Sequence, residues 1–257
     1  MDAINVATFW MRLASNAAEA KRTELLACQQ LARRMLGKTL AFVPTLKLRQ
    51  LANVLYAMGK LRLELSKESL GPHLTEHIEA RVDELLDEEG FESSIDLAQL
   101  WYGLALLCQC GWSGQLLTRL AAGTIERLEA WESLPGVYSA LANMTQLAHS
   151  ISLTSTQKED LSRAIGVLTD RVEEEQNTYQ VLAGTVWATR SLGLPVSKPL
   201  LRRQVKQMVL RAAGSRGVRQ AAEARARLQL CSTWGIALPA EVRARLVRMR
   251  ESGGARQ

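Results

Sequence analysis

The chain has 257 residues, a net charge of +6 at neutral pH and 47% hydrophobic residues, a balance that allows a sizeable core or a long stack of small units. Its longest apolar stretch, Leu100 to Cys108, is half of the roughly 18–20 residues that cross a bilayer, which argues against membrane insertion. No run rich in Val, Ile and Thr alternates with period two, so no strand is predicted. The few prolines and glycines lie mostly between apolar periodic segments, which favours long helices.

The first predicted element is an amphipathic helix over Met1 to Lys21. This segment carries Arg12, but Asp2 and Glu19 argue against an uncleaved organellar presequence. It also lacks the apolar core of a secretory signal.

A recurring helical phrase is the strongest signal along the chain. The segment from Leu51 to Leu61 reads LANVLYAMGKL, and it recurs as LAQLWYGLALL from Leu97 and as LAGTVWATRSL from Leu182. Weaker copies begin at Val6, Val137 and Ala224. The six starts are separated by 45, 46, 40, 45 and 42 residues.

A break and a second amphipathic helix follow each repeated phrase from Leu51 onward. Glycine at a helix end and proline just beyond it are physical stop signals. The breaks lie near Ser66, at Gly111–Gly114, at Leu153–Ser155, at Gly193–Pro195 and at Gly235–Pro239. One hairpin cannot bury both of its apolar faces, so neighbouring hairpins must stack. The sequence therefore predicts one all-α domain over residues 1–257, an α-solenoid of about six helix-turn-helix repeats with a period of roughly 40–46 residues.

Small and large residues alternate within the first helix of the repeats. Small side chains allow close approach of helices, and large aromatic side chains fill the space between layers. The small positions are Ala52, Ala57, Ala98, Gly103, Ala183 and Ala188, and the large ones, predicted to be core rather than base-stacking platforms, are Tyr56, Trp101 and Trp187.

Charge is distributed unevenly along the chain. Residues 1–195 contain 18 basic and 23 acidic residues, whereas the basic C-terminal part, 196–257, contains 14 basic and 3 acidic residues, and most of its basic residues are arginines. A guanidinium forks onto a phosphate, whereas an ammonium acts as a point charge. A basic end on a neutral-to-acidic body suggests a polyanion, most simply RNA, although a solvated or partner-facing surface gives the same pattern.

The basic residues of this C-terminal part lie off the apolar stripes of two predicted helices. One stripe contains Leu201, Val205, Met208 and Val209, and the other contains Val242, Leu246 and Met249. The candidate RNA-binding residues are Arg202, Arg203, Lys206, Arg211, Arg216, Arg219, Arg243, Arg245, Arg248 and Arg250.

Catalytic, metal and cofactor motifs are not recognisable in the sequence. His73 and His77 are spaced for one helix face, but no H-E-x-x-H frame surrounds them, so they are interpreted as surface histidines. The four cysteines lack zinc or redox spacing and are expected to be small, buried and reduced. There is no phosphate-binding or nucleophile loop. The prediction is a protein that is not an enzyme and that needs no metal or cofactor. The acidic runs from Asp83 to Glu89 and from Glu173 to Glu175 are interpreted as solvated helix ends, or as patches that face partners or repel RNA.

The segment from Leu51 to Leu61, with LAGTVWATRSLGL from Leu182 to Leu194, resembles the octotricopeptide and heptatricopeptide repeats of RAP-associated organellar helical-repeat proteins. The first helix of those repeats typically reads L-A-N-x-x-W-A-x-x-x-L-G. The resemblance extends over nearly the whole chain as a repeat pattern, with two or three close copies. The repeats here are longer than the usual unit of the family, and no C-terminal RAP-type domain is recognisable, which weakens any inference of RNA cleavage.

The resemblance implies an α-solenoid that binds organellar RNA, and relatives occur as subunits of mitochondrial ribosomes. We therefore expect a non-catalytic component of a mitochondrial ribonucleoprotein, with rRNA or an organellar transcript and other proteins of the assembly as partners. A plastid or the cytoplasm is the alternative location. Polar residues of the first helices, such as Asn53, Gln99 and Asn143, are candidates for base contacts. The competing hypothesis is a HEAT-like protein–protein scaffold that holds a partner helix or peptide and binds no nucleic acid.

Overall fold

The computed structural model describes residues 2–18, 21–88, 94–128, 134–174, 188–195, 224–225, 228–229, 231–232 and 237–252. These residues are mostly helical and contain no strand, which confirms the all-α prediction for this part of the chain. The α-helices are α1 (Ala3–Ala18), α2 (Arg22–Phe42), α3 (Leu48–Lys60), α4 (Gly71–Glu88), α5 (Ser94–Leu106), α6 (Gly114–Arg127), α7 (Leu134–Gln146), α8 (Ser155–Glu174) and α9 (Ala240–Ser252). Short 3₁₀ turns lie at Val43–Thr45, Leu65–Lys67, Cys108–Cys110 and Ala148–Ser150.

Helices α1 to α8 pack in two rows. In the first row α1, α3, α5 and α7 contact one another in chain order, and in the second row α2, α4, α6 and α8 do the same. The rows join where α1 packs on α2 and α3 packs on α4. Four of the six copies of the repeated phrase lie in the first row, whereas the copies from Leu182 and Ala224 lie largely outside the described residues.

The helices begin where side chains can satisfy free backbone N–H groups. Before α8, the Thr154 N–H donates to Gln157 Oε1 at 2.9 Å, and the Gln157 N–H donates to Thr154 Oγ1 at 3.2 Å. This reciprocal pair is a capping box, a motif readable from the sequence. Before α6, the Ser113 hydroxyl accepts from the Leu116 N–H at 3.5 Å.

Helix α3 and the short helical segment at residues 188–191 end in the same local motif. After α3 the Leu63 N–H donates to the Met58 carbonyl at 3.2 Å, and in the later copy the Leu194 N–H donates to the Thr189 carbonyl at 3.0 Å. Such closures place one residue in the left-handed region. That residue is Arg62 in one copy, with φ of 53°, and Gly193 in the other, with φ of 61°.

We expect Arg62→Gly to raise the free energy of unfolding by about 1 kcal/mol. A left-handed conformation costs an L-residue roughly 1–2 kcal/mol, and part of the gain is offset by the larger freedom of glycine in the unfolded chain. The measurement is the urea midpoint of the full chain. Arg62→Ala is the control, because it removes the same exposed side chain but keeps Cβ. Equal midpoints for the two variants would contradict the strain argument.

The first row is closely packed at glycines, as the small repeat positions predicted. A Cβ built on Gly103 in α5 would lie 2.7 Å from Leu55 Cβ and 2.9 Å from the Tyr56 backbone nitrogen in α3. A Cβ on Gly59 in α3 would overlap Leu106 in α5. Each helix therefore supplies one glycine to the contact, and the two backbones approach more closely than any larger residue allows.

Buried tryptophans tie the two rows together. The Trp10 indole N–H in α1 donates to Thr39 Oγ1 in α2 at 2.9 Å, and the Trp101 indole N–H in α5 donates to Thr124 Oγ1 in α6 at 3.0 Å. All four residues are fully buried. Each threonine hydroxyl also donates to a carbonyl one turn earlier in its helix. Each of these polar groups inside the core thus has a partner, as burial requires.

Candidate nucleic-acid interface

Helix α9 presents the arginine cluster that the sequence identified. Leu246 is 1% exposed, and Val242 and Met249 are partly buried against the core. This is the apolar stripe expected from the spacing. The candidate residues of the helix, Arg243, Arg245, Arg248 and Arg250, are all exposed.

These arginines lie on both sides of the apolar stripe. At about 100° per residue, Arg243 and Arg250 fall on one side of Leu246, and Arg245 and Arg248 fall on the other. A single flat patch is therefore not formed. Arg243 and Arg250 lie within about 60° of Leu246, whereas Arg245 lies about 100° from it and Arg248 about 160° from it, on the side that faces away from the buried stripe.

The pair formed by Arg243 and Arg250 borders a groove of about 480 Å³. The other described residues that line this groove are Leu228, Cys231, Ser232, Ala237, Leu238 and Val247. Arg250 also lies 3.5 Å from Glu251. The lining of this groove thus combines apolar side chains with two guanidinium groups.

Six of the predicted RNA-binding residues, including the whole of the earlier cluster, lie outside the described residues. They are Arg202, Arg203, Lys206, Arg211, Arg216 and Arg219. The geometry of the candidate interface therefore rests on α9 alone.

Arginines of the second row differ from those of α9, because they bridge neighbouring hairpins. Arg119 in α6 pairs with Asp83 at 2.8 Å and with Asp87 at 2.7 Å, both in α4. Arg33 in α2 pairs with Glu68, just before α4, at 2.6 Å. The carboxylates from Asp83 onward, interpreted as a solvated helix end, thus take part in contacts between helices. These cations are already engaged within the fold.

The three polar first-row residues proposed for base contacts all form hydrogen bonds within the protein. Gln99 Nε2 donates to Asn53 Oδ1 at 2.8 Å, and both side chains are half-buried. Asn143 is 5% exposed, and its amide donates to the Ser139 carbonyl at 2.7 Å. Asn143 is therefore an internal residue of α7, whereas Asn53 and Gln99 form part of the first-row surface.

An aromatic and cationic cluster on the same surface was missed in the sequence. The Tyr56 and Tyr102 rings lie 5.4 Å apart, and Lys60 Nζ lies 5.4 and 5.3 Å from their centroids. Hydrogen bonding to the Tyr102 side chain raises the pKa of Lys60 above its ordinary value. The sequence signal that could have predicted this cluster is the tyrosine at the same position of two successive copies of the phrase, Tyr56 and Tyr102.

The prediction of aromatic core positions holds for Trp101 and not for Tyr56. Trp101 is fully buried, whereas Tyr56 is partly exposed because it lies one residue further around the helix in the aligned phrase. Trp187 lies outside the described residues.

The histidines and cysteines do not converge in the described part of the chain. His77 Nδ1 lies 2.8 Å from the His73 carbonyl, and among the described residues no group of three or more His, Cys, Asp and Glu could hold a metal ion. The expectation of buried cysteines holds for Cys231, whereas Cys108 is exposed. Burial raises the pKa of the Cys110 thiol to about 11, so this thiol stays protonated at neutral pH.

None of the described helices has the length and apolar content that crossing a membrane requires. Comparison with protein-family models, curated proteins and solved structures gives no match.

Proposed function

We propose that this chain is an α-solenoid of about six helical hairpins that binds RNA through its basic C-terminal part. Two rows of helices, with copies of one phrase in successive first-row helices, support the repeat architecture. A stack of this kind holds side chains of successive hairpins in fixed register along an extended surface. In this proposal the protein has no catalytic activity.

The arginine pairs of α9 carry the RNA-binding proposal. Leu246 is buried, and the four arginines of the helix are exposed. The described acidic residues of this helix are Glu241, in its first turn, and Glu251, which lies beside Arg250. Arg243, Arg245 and Arg248 are therefore candidates to meet phosphates.

Binding at this end is electrostatic in mechanism. Each guanidinium that neutralises a phosphate releases condensed counterions, so affinity falls as salt concentration rises. The fork geometry of arginine also matches two phosphate oxygens at once. Contacts of this kind position the RNA but read no sequence.

We place the protein in an organellar ribonucleoprotein, such as the mitochondrial ribosome. The support is the resemblance of its repeated phrase to octotricopeptide and heptatricopeptide repeats. Six hairpins form a short array for independent reading of sequence, which favours a role as one component of an assembly. rRNA or an organellar transcript is the proposed ligand.

We expect the triple variant Arg243→Ala, Arg245→Ala and Arg248→Ala to weaken RNA binding about tenfold at physiological salt. Loss of three phosphate contacts should also flatten the plot of log K against log salt by about 2 units for single-stranded RNA. Fluorescence anisotropy with a labelled single-stranded RNA over a salt series gives both quantities.

The matched control replaces Arg22, Lys47 and Arg49 with alanine, which removes the same charge from exposed positions elsewhere. If RNA binding depends on the α9 arginines, this control variant should keep most of the RNA affinity and most of the slope of log K against log salt. Equal losses in both variants would mean that net charge alone, and not α9, attracts RNA.

A protein–protein scaffold that binds no nucleic acid is the second candidate function. The observation that favours it is an exposed, partly apolar groove at the first helix pair, lined by Phe9, Leu13 and Leu31. Retention on heparin or bulk RNA that persists at moderate salt and is lost in the α9 triple variant separates the two functions, since retention of a scaffold by net charge alone does not depend on α9.

A further inference from the structure

The outer side of the first helix pair contains an open groove between α1 and α2. Its volume is about 340 Å³. Leu31 is 43% exposed at its edge, and Phe9 is partly buried. The residues that line it are Asn5, Thr8, Phe9, Arg12, Leu13, Asn16 and Leu31.

Contacts of α2 show which of its sides meets the next hairpin. Gln29 Nε2 donates to the Leu61 carbonyl at 2.8 Å, and Arg33 pairs with Glu68. At about 100° per residue, Leu31 and Lys38 lie roughly opposite Arg33. The groove therefore lies on the side of α2 that faces away from the second hairpin.

Three exposed cations lie in this groove or on the same side of α2 as Leu31. Arg12 lies in its wall, and Arg34 and Lys38 follow Leu31 on α2. Within the part of the chain that the structure describes, none of the three forms an ion pair with a carboxylate. The acidic residue of the same helix, Glu24, accepts from the Lys21 N–H at 2.9 Å at the start of α2.

Successive hairpins in this protein are joined by apolar packing and by arginine–carboxylate pairs at the edge. Arg33 with Glu68, and Arg119 with Asp83 and Asp87, are examples. The outer side of α1 and α2 has exposed apolar side chains and cations of the same kind. Its complement would be a helix with an apolar stripe and flanking carboxylates.

We propose that the outer side of α1 and α2 docks an amphipathic, acidic helix of a partner protein. Its apolar stripe fills the groove at Phe9 and Leu31, and its carboxylates pair with Arg12, Arg34 and Lys38. Leu31 is 43% exposed here, whereas Leu246 of α9 is buried, so this side offers an apolar contact that RNA, charged along its whole backbone, does not use. Pairing of this surface with itself or with α9 of a second copy is disfavoured, because both surfaces are basic and like charges would oppose each other.

The test uses the full chain and two synthetic helical peptides of about 18 residues, roughly five turns. Both carry the same leucine stripe, flanked by glutamates in one and by lysines in the other. We expect the glutamate peptide to bind at least about tenfold more tightly by fluorescence anisotropy. Arg34→Glu with Lys38→Glu should weaken that binding by at least about tenfold, and Leu31→Ser should weaken it without loss of helical circular dichroism.

Arg245→Glu with Arg248→Glu is the matched control, since it reverses the same charge at exposed positions of α9. It should leave peptide affinity within about twofold, and so should the triple alanine variant of α9, which separates this proposal from RNA binding. The proposal is overturned if the two peptides bind equally, or if Arg34→Glu with Lys38→Glu leaves the affinity for the glutamate peptide unchanged. Displacement of the peptide by RNA, or self-association that Leu31→Ser abolishes, overturns it in favour of those ligands.

Discussion

Trp101→Ala should lower the free energy of unfolding by about 4 kcal/mol, a larger effect than we expect from any other substitution proposed for this chain. The indole is fully buried between α5 and α6, and truncation of such a side chain leaves a cavity as well as losing apolar burial. The threonine partner, Thr124, would also lose the donor to its hydroxyl. Urea denaturation followed by far-ultraviolet circular dichroism measures the change.

A double-mutant cycle of Trp101→Phe and Thr124→Val isolates the hydrogen bond between the rows. Its coupling energy should be about 1 kcal/mol, the usual net value for such a bond. The half-exposed neighbour Tyr102 serves as the control, since Tyr102→Ala leaves no enclosed cavity and should cost about 1 kcal/mol. Comparable losses at Trp101 and Tyr102 would refute the claim that burial of Trp101 between α5 and α6 contributes strongly to stability.

Gly103→Ala should destabilise the chain by about 2 kcal/mol, although alanine is the better helix former. The added methyl group would meet the backbone of α3 at Leu55 and Tyr56, which cannot move as a side-chain tip can. Overpacking costs about 1–3 kcal/mol, and the helix propensity of alanine returns at most about 1 kcal/mol of it.

Gly166→Ala in α8 is the matched control, for which we expect a change in stability of the opposite sign. A Cβ at Gly166 meets nothing within 4 Å, so the substitution should stabilise the chain by about 0.5–1 kcal/mol. Thermal and urea unfolding of the two variants should therefore shift in opposite directions. A shift of the same sign in both would mean that the close approach of α3 and α5 does not limit residue size.

The repeated phrase was sufficient to predict the helices of the first row. Leu51, Leu97 and Val137 start buried stripes in α3, α5 and α7, and each stripe has the spacing of one helix face. The capping residues Ser113 and Thr154 likewise precede their helices, as the preference for hydroxyl side chains at helix starts predicts. These features are local, so a short window of sequence contains the information that specifies them.

Pairings between helices were not predictable in the same way. Asp83 and Arg119 are 36 positions apart, and nothing in the local pattern shows that they meet. The exposure of Tyr56 beside the burial of Trp101 depends on the rotation of a helix against its neighbours, which a repeat alignment does not give to better than one residue.

The amino-acid sequence by itself determined the helical fold class, the period of the repeated phrase and the apolar stripe that orients the arginines of α9, because each depends on residues within a few turns of one another. Tertiary structure decided which charges are engaged and which are free. Arg33 meets a carboxylate of the next hairpin, whereas Arg34, one residue later, points elsewhere on α2. Ion pairing requires a partner within about 4 Å in space, and only the stacking of distant segments sets that distance.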